Sequence, residues 1–156
     1  MSNFGHVERI TAQTEKGDIT FRSKLEYRWY VWRQFCKDHG LITDWWYEDP
    51  ASCLELEQQY KHNKKMYLPD FTILTLDLEY EYEETKGWFP AKDYTKIKLA
   101  AEQYENPITL IFANLKNTKS QRAKYNRAKR LEPHIKRVIY NANKDIFEKI
   151  KYLFEF

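Results

Sequence analysis

Three short segments carry carboxylates and a lysine in an arrangement that could hold a divalent cation: Phe21-Arg22-Ser23-Lys24-Leu25-Glu26, Leu68-Pro69-Asp70-Phe71 and Glu83-Glu84-Thr85-Lys86-Gly87. Side chains alternate along a strand, so Tyr80, Tyr82, Glu84 and Lys86 share one face, and Glu79, Glu81, Glu83 and Thr85 the other. Glu84 and Lys86 then project together, with the Thr85 carbonyl between them. A hairpin brings Asp70 alongside Glu84. Two carboxylates and a carbonyl make a hard oxygen site of the kind Mg²⁺ accepts while keeping waters. A cation there lowers the pKa of a bound water and polarises a phosphodiester. Lys86 is placed to orient that water, accept its proton or stabilise charge on the phosphate. Glu26 follows Ser23 by three residues, so it can complete a helix cap, support a metal, or both.

The ordered set resembles the PD-(D/E)XK nuclease superfamily. Pro69-Asp70 stands for the PD, Glu84-Thr85-Lys86 for the (D/E)XK, and Glu26 for the helix glutamate. The resemblance is closest to the phage endonuclease I group of Holliday-junction resolvases and covers residues 20–113. It implies a restriction-endonuclease-like core, Mg²⁺ or Mn²⁺ as cofactor, and hydrolysis of DNA by activated water. On that basis Glu26, Asp70, Glu84 and Lys86 are the expected catalytic residues, and Asp70, Glu84, Thr85 and Glu26 the expected metal ligands. The expected substrate is branched or duplex DNA, and a homodimer would match the two symmetric cleavage positions of a junction. Similar motifs occur in head-completion and other small phage nucleases, which leaves a head-completion or nicking role as an alternative. A catalytically silent DNA-binding or structural subunit is another.

These residues need elements to position them. Residues 7–13 and 18–22 read as a hairpin about Glu15-Lys16-Gly17-Asp18, and Ser23 opens a helix that ends at His39-Gly40. Leu25, Trp29, Trp32 and Cys36 recur along that helix at its own period. Residues 41–47, 53–60, 66–74 and 78–86 read as strands, with Lys61 to Lys65 a loop and Pro69 demoting its strand to an edge or bulge. Pro90 to Tyr104 is a helix with Ile97, Ala100, Ala101 and Tyr104 as its core stripe. Ile108 to Ala113 is an unbroken apolar run, expected of a strand buried on both faces. A basic helix over 118–131 places Lys119, Arg122, Asn126 and Arg130 on one face. Residues 135–140 form a last strand, and Asp145 to Phe154 an amphipathic helix burying Ile146, Ile150, Leu153 and Phe154. The order predicts an α/β fold, a central mixed sheet flanked by helices, in a single domain of residues 1–156. Its core lies at 20–113 and a basic helical region at 116–156.

Composition narrows the partners. The 156 residues carry 26 Lys and Arg against 23 Asp and Glu, a net charge of +3, which excludes a histone-like polycation and an acidic disordered tail. The 5 Trp, 12 Tyr and 9 Phe exclude intrinsic disorder, and two cysteines exclude a disulfide framework. The charge is nonetheless polarised. Between Lys116 and Arg137 nine cations stand against the single acid Glu132, a local +8 that leaves −5 for the rest. A basic segment beside a carboxylate-rich one suits a polyanion held near a cation. Lys92, Lys96, Lys119, Arg122, Lys124, Arg127 and Arg130 are the expected DNA contacts, to phosphates rather than bases. No apolar run is long enough to span a membrane, and the polar N-terminus is unlike a signal peptide. A cytoplasmic protein is the expectation, in the host cytoplasm for a phage product.

Overall fold

A computed structural model describes residues 8–57 and 65–154. Five strands form the central sheet in the order β3-β6-β7-β8-β9, where β3 is Asp44–Tyr47, β6 Phe71–Leu74, β7 Tyr80–Thr85, β8 Ile108–Ile111 and β9 Arg137–Ile139. The β3-β6 and β6-β7 pairs are antiparallel, and β7-β8 and β8-β9 pair in parallel. Parallel pairing requires crossovers, supplied by helix α2 (Ala91–Gln103) and helix α3 (Arg122–Leu131). Two ribbons flank the sheet: β1 (Ile10–Thr14) with β2 (Gly17–Phe21), and β4 (Leu54–Leu56) with β5 (Lys65–Tyr67).

Helix α1 (Lys24–Asp38) begins because the Ser23 hydroxyl accepts the Glu26 amide at 3.1 Å. It ends before Gly40, whose φ of +70° is the left-handed turn glycine allows. Trp29 and Cys36 face one buried cluster with Phe21, Trp45, Phe71, Ile73 and Ile111. Ile97 and Ala100 of α2 and Ala128 and Leu131 of α3 face a second cluster with Tyr82, Ile108 and Leu110. The sheet therefore separates two cores. Strand β8 is buried at all four positions, as its apolar run requires.

Several expectations change. The 66–74 segment is two strands, not one. Pro69 offers no N–H to a ladder, so the chain leaves the β4–β5 ribbon at Tyr67 and enters the main sheet at Phe71. Lys65, expected in a loop, begins β5. The strand expected at 53–60 is Leu54–Leu56, and residues 58–64, including most of the expected loop, lie outside the described residues. The basic helix starts at Arg122, because Thr118 to Gln121 form a hydrogen-bonded turn; Lys119 thus precedes the helix and shares no face with Arg122 and Arg130. The final segment is a short helix α4 (Ala142–Asp145) and then a 3₁₀ stretch, Phe147–Leu153, with a non-helical Ile150 (φ −119°). That kink buries Phe147 and Ile150 and turns Leu153 out to 38% exposure. Strand β9 also completes the sheet from within the region assigned to the basic tail.

Candidate functional site

The pairing of β6 with β7 builds the site. Phe71 opposes Glu83, which places Asp70 next to Glu84 at the strand end. The Asp70 amide donates to Glu84 Oε1 at 3.2 Å. Asp70 Oδ2 accepts from the Thr85 amide at 2.8 Å and the Thr85 hydroxyl at 3.0 Å. Asp70 thus joins the two faces: its amide meets Glu84 and its carboxylate meets Thr85. Both acids are nearly inaccessible, at 6% and 4% exposure.

Glu26 reaches the same place from the first turn of α1, where the Tyr47 hydroxyl donates to its Oε2 at 2.7 Å. Glu48 joins them, a residue the motifs did not mark. It directly follows β3 with φ +46°, left-handed for a non-glycine, and its amide donates to the Asp70 carbonyl at 2.8 Å. In the sequence it lies in an acid-rich stretch, Asp44 to Glu57, that carries no motif. One oxygen each from Glu26, Glu48 and Asp70 lie within 4.8 Å of one another, so this trio could bind a metal. Glu84 sits behind it, beside Asp70 and Lys86.

Arg22 closes the trio. Its Nη2 lies 2.8 Å from Glu48 Oε1 and 3.0 Å from Asp70 Oδ1, and its Nε 3.1 Å from Glu26 Oε1. Lys86 Nζ donates to Asp93 Oδ2 of α2 at 3.1 Å and lies 3.7 Å from Glu84 Oε2. Burial pushes the Asp70 carboxyl up to about 6, with the Glu26 charge adding to it. Burial, then the Asp70 charge, holds Glu84 well above the usual carboxylate range. Burial pulls Lys86 down, but Glu84 and Asp93 outweigh it and the ammonium stays above its ordinary value. The Tyr67 hydroxyl is fully buried beside the Glu84 carboxylate, whose charge it helps to offset.

The donor set fits a hard cation: it is all oxygen and concentrates anionic charge, and burial raises the Asp70 carboxyl and that of its neighbour Glu84. Two clefts adjoin it, both lined by Arg22, Asp70 and Lys86. One, of about 180 Å³, also includes Glu84 and Lys96; the other, of about 380 Å³, includes Glu26 and Trp88.

The expected DNA contacts divide. Lys96 lines the smaller cleft. Lys92 lies over the Trp88 ring, 5.4 Å from its centroid. Lys124 Nζ donates to the Gly87 carbonyl at 2.7 Å and Arg127 Nη1 to the Phe89 carbonyl at 2.6 Å, so both hold the loop after the motif. Arg130 stacks over Tyr94, at 5.8 Å. Lys119 and Arg122 are exposed. Among the described residues no helix is long and apolar enough to cross a membrane. Comparison with protein-family models, with curated proteins and with solved structures gives no match.

Proposed function

We propose that this chain is a metal-dependent endodeoxyribonuclease of the PD-(D/E)XK type, with a restriction-endonuclease-like core, that recognises the shape of DNA rather than its sequence. The observation that carries the reading is the convergence of Asp70, Glu84 and Lys86. Fourteen residues separate the two acids, yet the Asp70 amide meets the Glu84 carboxylate, both stay buried, and Lys86 lies 3.7 Å from Glu84. Burying two adjacent carboxylates without full compensation costs stability, which favours a role in chemistry.

Glu26, Glu48 and Asp70 would hold Mg²⁺ or Mn²⁺, with Glu84 beside Asp70. When bound, the ion would supply charge neutralisation at a phosphate and a more acidic water. The chain's own residues do the positioning. Tyr47 fixes the Glu26 carboxylate, and Thr85 fixes that of Asp70. Asp93 anchors Lys86, whose ammonium donates toward charge developing on a phosphoryl oxygen. Lys96 and Lys92 lie where flanking phosphates would run.

Asp70→Asn should abolish cleavage of a four-way junction in Mg²⁺, and wild-type rates in that variant would refute the assignment. Rates on branched, nicked and linear duplexes separate junction resolution from the nicking or head-completion roles. A mass measurement in solution tests the homodimer, and fractionation of infected or expressing cells the cytoplasmic location. One observation favours the silent-subunit reading: Arg22 already contacts all three acids of the trio. That reading expects salt-sensitive DNA binding with no product in either metal.

A further inference from the structure

The loop that follows the motif presents one large aromatic to solvent. Trp88 is 66% exposed, while the next residue, Phe89, is 2% exposed and packs edge-on against Phe112 at 5.8 Å. Both flanking carbonyls are tied down, Gly87 by Lys124 and Phe89 by Arg127. Two cations of α3 therefore hold the backbone on either side of an indole that the core does not take up. Leaving a tryptophan out forgoes burial of about 150–250 Å² of largely apolar surface, and a pinned loop does not let it fold back. Trp88 also lines the 380 Å³ cleft together with Glu26, Asp70 and Lys86. Lys92 adds a positive charge over its ring.

We propose that Trp88 is a stacking platform for an unpaired nucleobase next to the phosphate held at Asp70 and Lys86, which makes the substrate a DNA with unpaired or unstacked nucleotides at the cleavage point. The proposal rests on the nuclease reading above and adds the substrate class. Stacking needs a rigid, solvent-open aromatic face, and every base has a π-face to offer it. In an intact duplex the bases stack on one another, so Trp88 meets only the backbone. Lys92 is placed for the phosphate of the stacked nucleotide.

The test is binding, read separately from cleavage. Fluorescence anisotropy with EDTA present would compare a blunt duplex with the same duplex carrying a short single-stranded flap, for wild type, Trp88→Ala and Trp88→Phe. Trp88→Ala should weaken flap binding by about 5- to 150-fold and leave blunt-duplex binding within about twofold, and Trp88→Phe should recover most of the loss. A 2-aminopurine at the flap base should be quenched by wild type and not by Trp88→Ala. Equal loss on both DNAs, or none on either, would overturn the stacking role and leave the nuclease reading intact. A protein that binds neither DNA overturns both. Binding discrimination without any metal-dependent cleavage refutes the nuclease chemistry alone.

Discussion

Glu83 and Glu84 are consecutive on β7, identical in side chain and almost equally buried, at 2% and 4% exposure. Strand alternation sends them to opposite faces, and their surroundings differ in kind. Glu83 enters the α1 core, where Trp29 Nε1 donates to it at 2.8 Å and Arg33 Nε at 2.9 Å, with a second Arg33 contact through Nη2. Its charge is matched and its oxygens are satisfied. Glu84 faces a cleft, accepts one amide at 3.2 Å, and has its nearest ammonium 3.7 Å away, shared with Asp93. A buried acid with a complete set of partners holds a fold together. On the proposed reading, a buried acid with an incomplete set is the one available for chemistry.

The comparison is broken most severely at Glu83. Glu83→Ala strands the Arg33 guanidinium in the core and should cost about 3–5 kcal/mol, read as a drop in urea midpoint. Replacing both partners, Glu83→Leu with Arg33→Met, should recover much of it, because two matched apolar groups leave no charge behind. A small effect of Glu83→Ala would mean that the pair is not a structural support.

Glu84→Gln should do the reverse. It keeps the shape, removes a charge that burial disfavours, and leaves stability equal or higher. Cleavage in Mg²⁺ should fall by about 10²–10³-fold or more, the scale of losing one electrostatic contact to a transition state. A variant both unstable and active would erase the distinction between the neighbours.

The pH dependence of metal-free stability sharpens the contrast. Asp70 rises to about 6 from 3.8, and Glu84 rises as well, both chiefly through burial. A carboxyl raised in the folded state binds its proton more tightly there than when unfolded. Its penalty is absent below about pH 4, grows through pH 6, and is complete above the folded value. The metal-free protein should therefore lose stability from this pair as pH rises, by no more than about 1.4 kcal/mol per pH unit per proton. The slope should flatten in Glu84→Gln, and saturating Mg²⁺ should offset the loss by binding the folded state. Urea melts between pH 5 and 8, wild type against variant, read this directly.

How much of this could be read in advance differs between the two neighbours. The residues around Glu84 and Asp70 lie in short linear patterns: Asp70 after a proline, Lys86 two residues after Glu84, Glu26 three residues after a capping serine. Period-2 and period-3.6 patterning placed Glu84 on a strand and Glu26 at a helix start, but it put Asp70 inside one strand, whereas Asp70 lies between β5 and β6. The continuous Ile108–Ile111 run and the sheet itself were equally plain. Glu83 offered no such signal, because its partners Trp29 and Arg33 lie 54 and 50 residues away and read as one more aromatic and one more cation of an amphipathic helix. Glu48 escaped for another reason. It enters the acidic trio through a left-handed backbone turn beyond β3, and backbone reversals at non-glycine residues leave no pattern in side-chain chemistry. The basic helix was visible as charge, yet two of its cations serve the Gly87–Phe89 loop, which only tertiary contact determines.

The smallest expected effect concerns Arg22, which gives Glu26, Glu48 and Asp70 something of what Arg33 gives Glu83. The two arginines differ in exposure: the Arg33 side chain is 13% exposed and that of Arg22 is 56%. Solvent screens the Arg22 contacts, so they stabilise by no more than about 1 kcal/mol, even though they engage three carboxylates. A divalent ion entering the trio must displace that guanidinium. Arg22→Gln should therefore raise the affinity for Mn²⁺ in titration calorimetry, by less than about fivefold on that scale, while lowering metal-free stability slightly. Arg33 has no such freedom, since moving it would leave Glu83 buried and bare. A large gain in metal affinity on removing Arg22 would show that it is a fixed structural counter-ion like Arg33. No change would show that the ion binds elsewhere, on the Glu84 side of Asp70.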